Sequence, residues 1–135
     1  MQSKLISEKT VYNFAIFGGL QYIILTIIGM LIYPGGTRLD TASLGYSFSK
    51  NFLSDIARTE AYNGTSNLLG TGIYCWALLT MGSAAILMFI VLRYIFREKK
   101  WTKIVSILMA ITGILAGTGL IGIGLAPSDV IYDAH

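Results

Sequence analysis

Charge is scarce in this chain. Asp, Glu, Lys and Arg make up 13% of its 135 residues, about half the share usual in a soluble domain. The scarcity is also uneven. No charged residue occurs between Lys9 and Arg38, between Glu60 and Arg93, or between Lys103 and Asp129. Each gap is longer than the roughly 20 residues a helix needs to cross a bilayer. Cysteine occurs once, at Cys75, so no internal disulfide can form and the default role of that thiol is packing. Histidine also occurs once, at His135, which is a thin basis for a metal centre. Of the two prolines, Pro34 closes the first apolar run in the sequence YPGG, which reads as a turn at a membrane surface.

What the chain has in excess is apolar. Hydrophobic residues reach 54% and the mean hydropathy is +0.65. A water-soluble chain this small has too little interior to hide such a surface. The rival, three buried helices of a soluble bundle, requires a polar face recurring every 3.6 residues, and the three runs have none. The first run is too long for a cleaved signal peptide, and no small-residue cleavage site closes it. The fold expected is therefore all-α and integral to the membrane. It is one domain over 1–135, with spans at about 11–33, 68–92 and 104–126.

Net charge is +3, and the excess is local. Arg93, Arg97, Lys99, Lys100 and Lys103 crowd the link 93–103 between the second and third spans. Positive loops stay on the cytoplasmic side. This puts the N-terminus inside, the loop 34–67 and the C-terminal tail outside, and the chain in a cell membrane, with the bacterial inner membrane as the expected one. A basic loop this short, beside a membrane, argues against a nucleic-acid partner. Attraction to anionic headgroups is compatible with it. Tyr12, Tyr33, Tyr74, Trp76, Tyr94 and Trp101 fall near the expected interfaces, as an aromatic belt would.

Within the third span, Ala110, Gly113 and Gly117 mark a face for close helix packing, since small residues let backbones approach in lipid. Gly119, Gly122 and Gly124 continue it and predict a pliable outer end. The second span carries GSAA at 82–85 as a meeting surface. Gln21 is the amide deepest in a span. It calls for an interhelical hydrogen bond, or alternatively marks a transport path.

The stretch YSFSKNFLSDIARTEAYNGTSN, residues 46–67, is the least apolar part of the chain. On a helical wheel Phe48, Phe52, Leu53 and Ile56 share one arc, and Asn51, Ser54, Asp55 and Arg58 share the other. This period predicts a short amphipathic helix capped by Ser47 or Ser49, lying at the interface or folded over the spans. Asp55 and Arg58, at i and i+3, are placed to pair. In NGTSN, Gly64 turns the chain and Ser66 or Asn67 caps the second span. Asn63-Gly-Thr also fits a glycosylation sequon, but it lies close to the membrane. The other outer segment, APSDVIYDAH, gathers Asp129, Asp133 and His135, which are types able to bind a metal or move protons.

These two segments carry a likeness. NFLSDIARTEAYNGTSN resembles the serine–aspartate–arginine–threonine signature in the first outer loop of a bacterial polytopic membrane family of unknown function, domain-of-unknown-function family number nine-nine-eight. GLAPSDVIYDAH resembles that family's proline–aspartate…histidine segment after its third span. Ser54, Asp55, Arg58, Asn63, Asn67, Pro127, Asp129 and His135 carry the resemblance. Members have about six spans, so the resemblance implies that this chain is the N-terminal half of a longer protein. It implies a fold, not an activity. A more distant likeness is to membrane-embedded metal hydrolases such as the alkaline ceramidases, which set Ser, Asp and His ligands at one membrane face. Those enzymes use several histidines and this sequence has one.

Two readings follow. In the first, the protein is a structural or accessory helical-bundle subunit whose partners are the bilayer and other transmembrane helices, with no cofactor required. In the second, it is a metal-dependent hydrolase or lipid-modifying enzyme using Asp55, Asp129 and His135 at an outer-face site. The enzyme needs those groups within reach of one another in a wet pocket. The subunit needs only satisfied polar groups.

Overall fold

The computed structural model describes residues 8–96, 99–127 and 129–130. Three long helices form where the charge gaps lie: α1 (Glu8–Ile32), α2 (Leu68–Ile95) and α3 (Lys100–Leu125). All three are long and apolar enough to cross a bilayer, yet only 22% of each helix's most apolar window is buried inside the protein. In water that exposed surface would be untenable at about 25 cal/mol per Å². The second and third helices run further into the basic link than the hydropathy boundaries suggest. Their last and first turns hold Arg93 and Lys100, long cations whose stems extend an apolar helix while their heads reach water.

The helices do not close into a triangle. α2 lies in the middle, packed against α1 on one side and α3 on the other. The GSAA stretch serves both contacts. A Cβ on Gly82 would lie 2.6 Å from the Gly117 carbonyl oxygen of α3. On the other side, a Cβ on Gly18 of α1 would lie 2.7 Å from the Cβ of Ala84. Ala110 is buried, Gly113 sits under the Phe89 ring, and Gly117 meets Ile86 and the Gly82 carbonyl. Gly124 packs on Leu78, whereas Gly119 and Gly122 face open space. Dispersion across these backbone-to-backbone approaches is what holds apolar helices together in lipid.

Gln21 is buried, and its side-chain Nε2 donates to the Ala77 carbonyl of α2 (3.1 Å) and to Gly18 (3.1 Å). The amide therefore bridges α1 and α2. Among the described residues its Oε1 has no hydrogen-bond partner, nor does the hydroxyl of buried Thr26.

The connection from α1 to α2 folds back over one end of the helices. Its regular element is a single 3-10 turn, Leu53–Ala57. The burial follows the expected amphipathic arc at Ile56 but departs from it elsewhere. Phe48 and Phe52 are exposed and Leu53 is partly so, while Asn51, Asp55 and Ile56 are buried. The reason is local. Asp55 accepts the Phe52 N–H (2.8 Å), which caps the turn from within and draws the polar edge inward. Phe52, not Ser47 or Ser49, holds the N-cap position. Ile56 then becomes the plug. It is fully buried against Ala57, Tyr74 and Leu78, with Tyr22, Met30 and Leu120 around it. A Cβ on Gly29 of α1 would fall 2.7 Å from its Cγ2.

Candidate functional site

The polar loop is a lid, and its polar residues are its stitching. Gly35 and Gly36 leave α1 with φ of 132° and 85°, a region open to glycine. At Gly36 a side chain would also strike the backbone of Tyr62 and Asn63. Asn51 reaches across from Nδ2 to the Gly36 carbonyl (3.0 Å) and to the Asp55 carboxylate (3.1 Å), while its Oδ1 takes the Ser47 N–H (2.9 Å). Asn63 donates to the Pro34 carbonyl (3.1 Å) and accepts the Thr65 N–H (3.0 Å). The second half of the lid is a small hairpin in which the Ala61 N–H meets the Thr65 carbonyl (2.9 Å) and Gly64, at φ 78°, makes the turn.

Asn67 stands at the N-cap of α2, as the sequence suggests, but its side chain does not cap. Its Nδ2 donates to the carbonyls of Ile56 (3.0 Å) and Arg58 (2.9 Å). Thr71, one turn into α2, donates its hydroxyl to the Arg58 and Asn67 carbonyls. The carbonyls at the end of the 3-10 turn have no helix to continue into, and these two side chains satisfy them. Arg58 does not take up the expected pairing with Asp55. Its guanidinium lies over the Tyr62 ring, 4.2 Å from the centroid, and its Nε donates to the Glu60 carbonyl (3.0 Å). Ser54 sits half-buried within the turn.

The tail joins the lid through Asp129. One carboxylate oxygen accepts the Thr59 N–H (3.0 Å), and the other accepts the Thr59 hydroxyl (2.7 Å) and the Glu60 N–H (2.9 Å). The lid and the start of the tail therefore lie at the same end of the helices. Burial on its own would raise the Asp129 pKa. The hydrogen bonds from Thr59 and Glu60 outweigh it and hold this carboxyl below its ordinary range. Burial, reinforced by the Asp55 charge, pushes the Tyr46 and Tyr62 phenols up. His135 and Asp133 lie outside the described residues.

The structure thus brings Asn51 and Asp55 together, and ties Asn67 and Arg58 to the same short turn. Asp129 meets Thr59 and Glu60, while Asp55 binds Asn51 and Phe52. Among the described residues the tail meets the lid at Thr59 and Glu60, while the expected contact of Asp55 with His135 lies outside the described residues. Thr59 and Thr71 carry much of this network and are not singled out by sequence reasoning. The one legible sign of Thr59 is the threonine of the serine–aspartate–arginine–threonine run. Tyr33 and Tyr74 are also not belt residues. Both are buried, Tyr33 edge-on to Tyr46 and Tyr74 against Tyr22, whereas Trp76, Tyr94 and Trp101 are exposed. Among the described residues no group of three or more His, Cys, Asp or Glu side chains is close enough to hold a metal ion.

Three apolar helices of spanning length, with a polar lid at one end and a basic link at the other, define the class: a multi-pass, all-helical membrane protein. No family model, curated protein or solved structure matches this chain.

Proposed function

We propose that this protein is an accessory, non-catalytic membrane module. Its lid is a fixed cover on the outer end of a three-helix layer, and its partners are the bilayer and further transmembrane helices. The observation that supports this is the state of the two carboxylates that would have to do chemistry. Asp55 accepts two donors and Asp129 accepts three, all from the lid itself. A general base or metal ligand must keep a lone pair aimed at substrate, water or ion. Three of these five donors are backbone N–H groups of the lid, and a carboxylate held by such donors stabilises a fold. Five of the eight residues that carry the likeness to the bacterial polytopic family, Asp55, Arg58, Asn63, Asn67 and Asp129, are stitching residues of this lid. In this reading the signature encodes how the lid closes.

The bilayer orientation belongs to the same proposal: lid outward, basic link in the cytoplasm. Elemental analysis of the purified full chain tests the catalytic alternative. No stoichiometric metal is expected. One equivalent of zinc that is lost in Asp129→Asn would overturn the accessory reading in favour of a metal hydrolase.

A further inference from the structure

At the end of the helices opposite the lid, α2 and α3 meet at the basic link. Arg93 and Lys103 are ten positions apart in sequence, but the antiparallel turn sets both on the wall of one hollow of about 240 Å³. Tyr94, Ser106 and Ile107 complete that wall. Ser106 is buried and donates to the Lys103 carbonyl (2.9 Å), which ties the seam floor to the backbone that carries the lysine. No acidic side chain forms an ion pair with Arg93 or Lys103 among the described residues. Ser106 also borders a second hollow of about 340 Å³, lined by Phe96, Trp101, Val105 and Met109 and almost wholly apolar. A site with two cations beside an apolar groove, at the level where a spanning helix leaves the hydrocarbon, matches a molecule that is anionic at one end and greasy at the other.

We propose that the Arg93–Lys103 hollow seats the phosphate of an anionic phospholipid, with acyl chain lying against Phe96, Trp101, Val105 and Met109. The site rests on the membrane reading above and goes beyond it. General attraction of a basic link for a charged leaflet would treat every cation alike. A built site depends on the two that line the hollow. Lys99 and Lys100 lie in the same turn and outside that hollow, so they serve as the charge-matched control.

The full chain is reconstituted in phosphatidylcholine vesicles carrying brominated phosphatidylglycerol or brominated phosphatidylcholine. Trp101, highly exposed, reports binding by quenching in a Trp76→Phe background. We expect phosphatidylglycerol to be preferred by about five- to thirty-fold, from two cations at the headgroup level. Arg93→Gln/Lys103→Gln brings the ratio to about one, and Lys99→Gln/Lys100→Gln leaves most of it. Equal loss in both double variants, or no preference in the parent, overturns the proposal. Displacement of the brominated lipid by inorganic phosphate also overturns it, by assigning the hollow to a soluble anion. Absence of quenching by either lipid means instead that the link is not at a membrane surface, and the membrane reading itself falls.

Discussion

Substitution of Asp129 by Ala should unfasten the tail from the lid without unfolding the helices. The carboxylate accepts three hydrogen bonds, from the Thr59 N–H, the Thr59 hydroxyl and the Glu60 N–H. A hydrogen bond to a charged group is worth about 1.5–3 kcal/mol when well sheltered. This carboxylate is only partly buried, so water screens it and can replace it on the donors that are left. The three bonds also share one side chain and do not add. A net cost of about 2 kcal/mol follows, or about thirty-fold in the opening equilibrium. Hydrogen exchange on the full chain in lipid nanodiscs measures it. The Thr59 and Glu60 amides should exchange about thirty-fold faster, while amides in the middle of α2 stay as they were.

The pH dependence has a definite sign. Because the Asp129 pKa lies below its ordinary 3.8, the latch is at full strength above that value and is lost as pH falls through the lowered pKa. Protection factors at Thr59 should therefore be flat from neutral pH down to about 5 and fall only below about 4. Asp129→Asn, which mimics the protonated acid, should be weak and flat throughout. Unchanged exchange at Thr59 and Glu60 in Asp129→Ala would remove the latch from the account. So would a loosening spread evenly over all three helices.

Other substitutions test the remaining contacts. Ile56→Ala removes a fully buried plug and should lower stability by about 2–4 kcal/mol in a detergent unfolding series. Gly29→Ala should be destabilising alone, because its Cβ would meet Ile56. In the Ile56→Ala background the same change should be nearly harmless, and additive costs in that double-mutant cycle would refute the fit. Gly117→Leu should drive α2 and α3 apart, since the space is filled by Ile86 and the Gly82 carbonyl. Loss of disulfide formation between cysteines placed along that seam would report it. Gln21→Leu should cost under about 1 kcal/mol. It forfeits one interhelical bond, worth about 0.6 kcal/mol in lipid, but removes an orphaned buried oxygen. A much larger loss of stability would give the amide a role other than joining two helices.

Sequence alone determined the three helices. Long stretches without charge leave a chain few alternatives to spanning helices, because an unpaired backbone polar group in hydrocarbon costs several kcal/mol. The packing face Ala110–Gly113–Gly117 was equally legible, since missing side chains are visible in sequence and close approach is what they permit. Helix order was not. Only the tertiary structure decides that α2 sits between its neighbours and that Gly82 and Ala84, two positions apart, serve opposite partners.

The lid was readable as a polar segment with helical periodicity, but its inside and outside were not. Periodicity assigns the apolar arc to the interior when a helix is long enough for burial to dominate. Over five residues, the capping of Phe52 by Asp55 and the fit of Ile56 to Gly29 decide the orientation, and Phe48 and Phe52 are left exposed. The partner of Asp129 was hidden for a related reason. Two of its three donors are backbone N–H groups, and every residue except proline offers one. Which of them point at a carboxylate seventy positions away is written in the path of the chain and not in the identity of its residues.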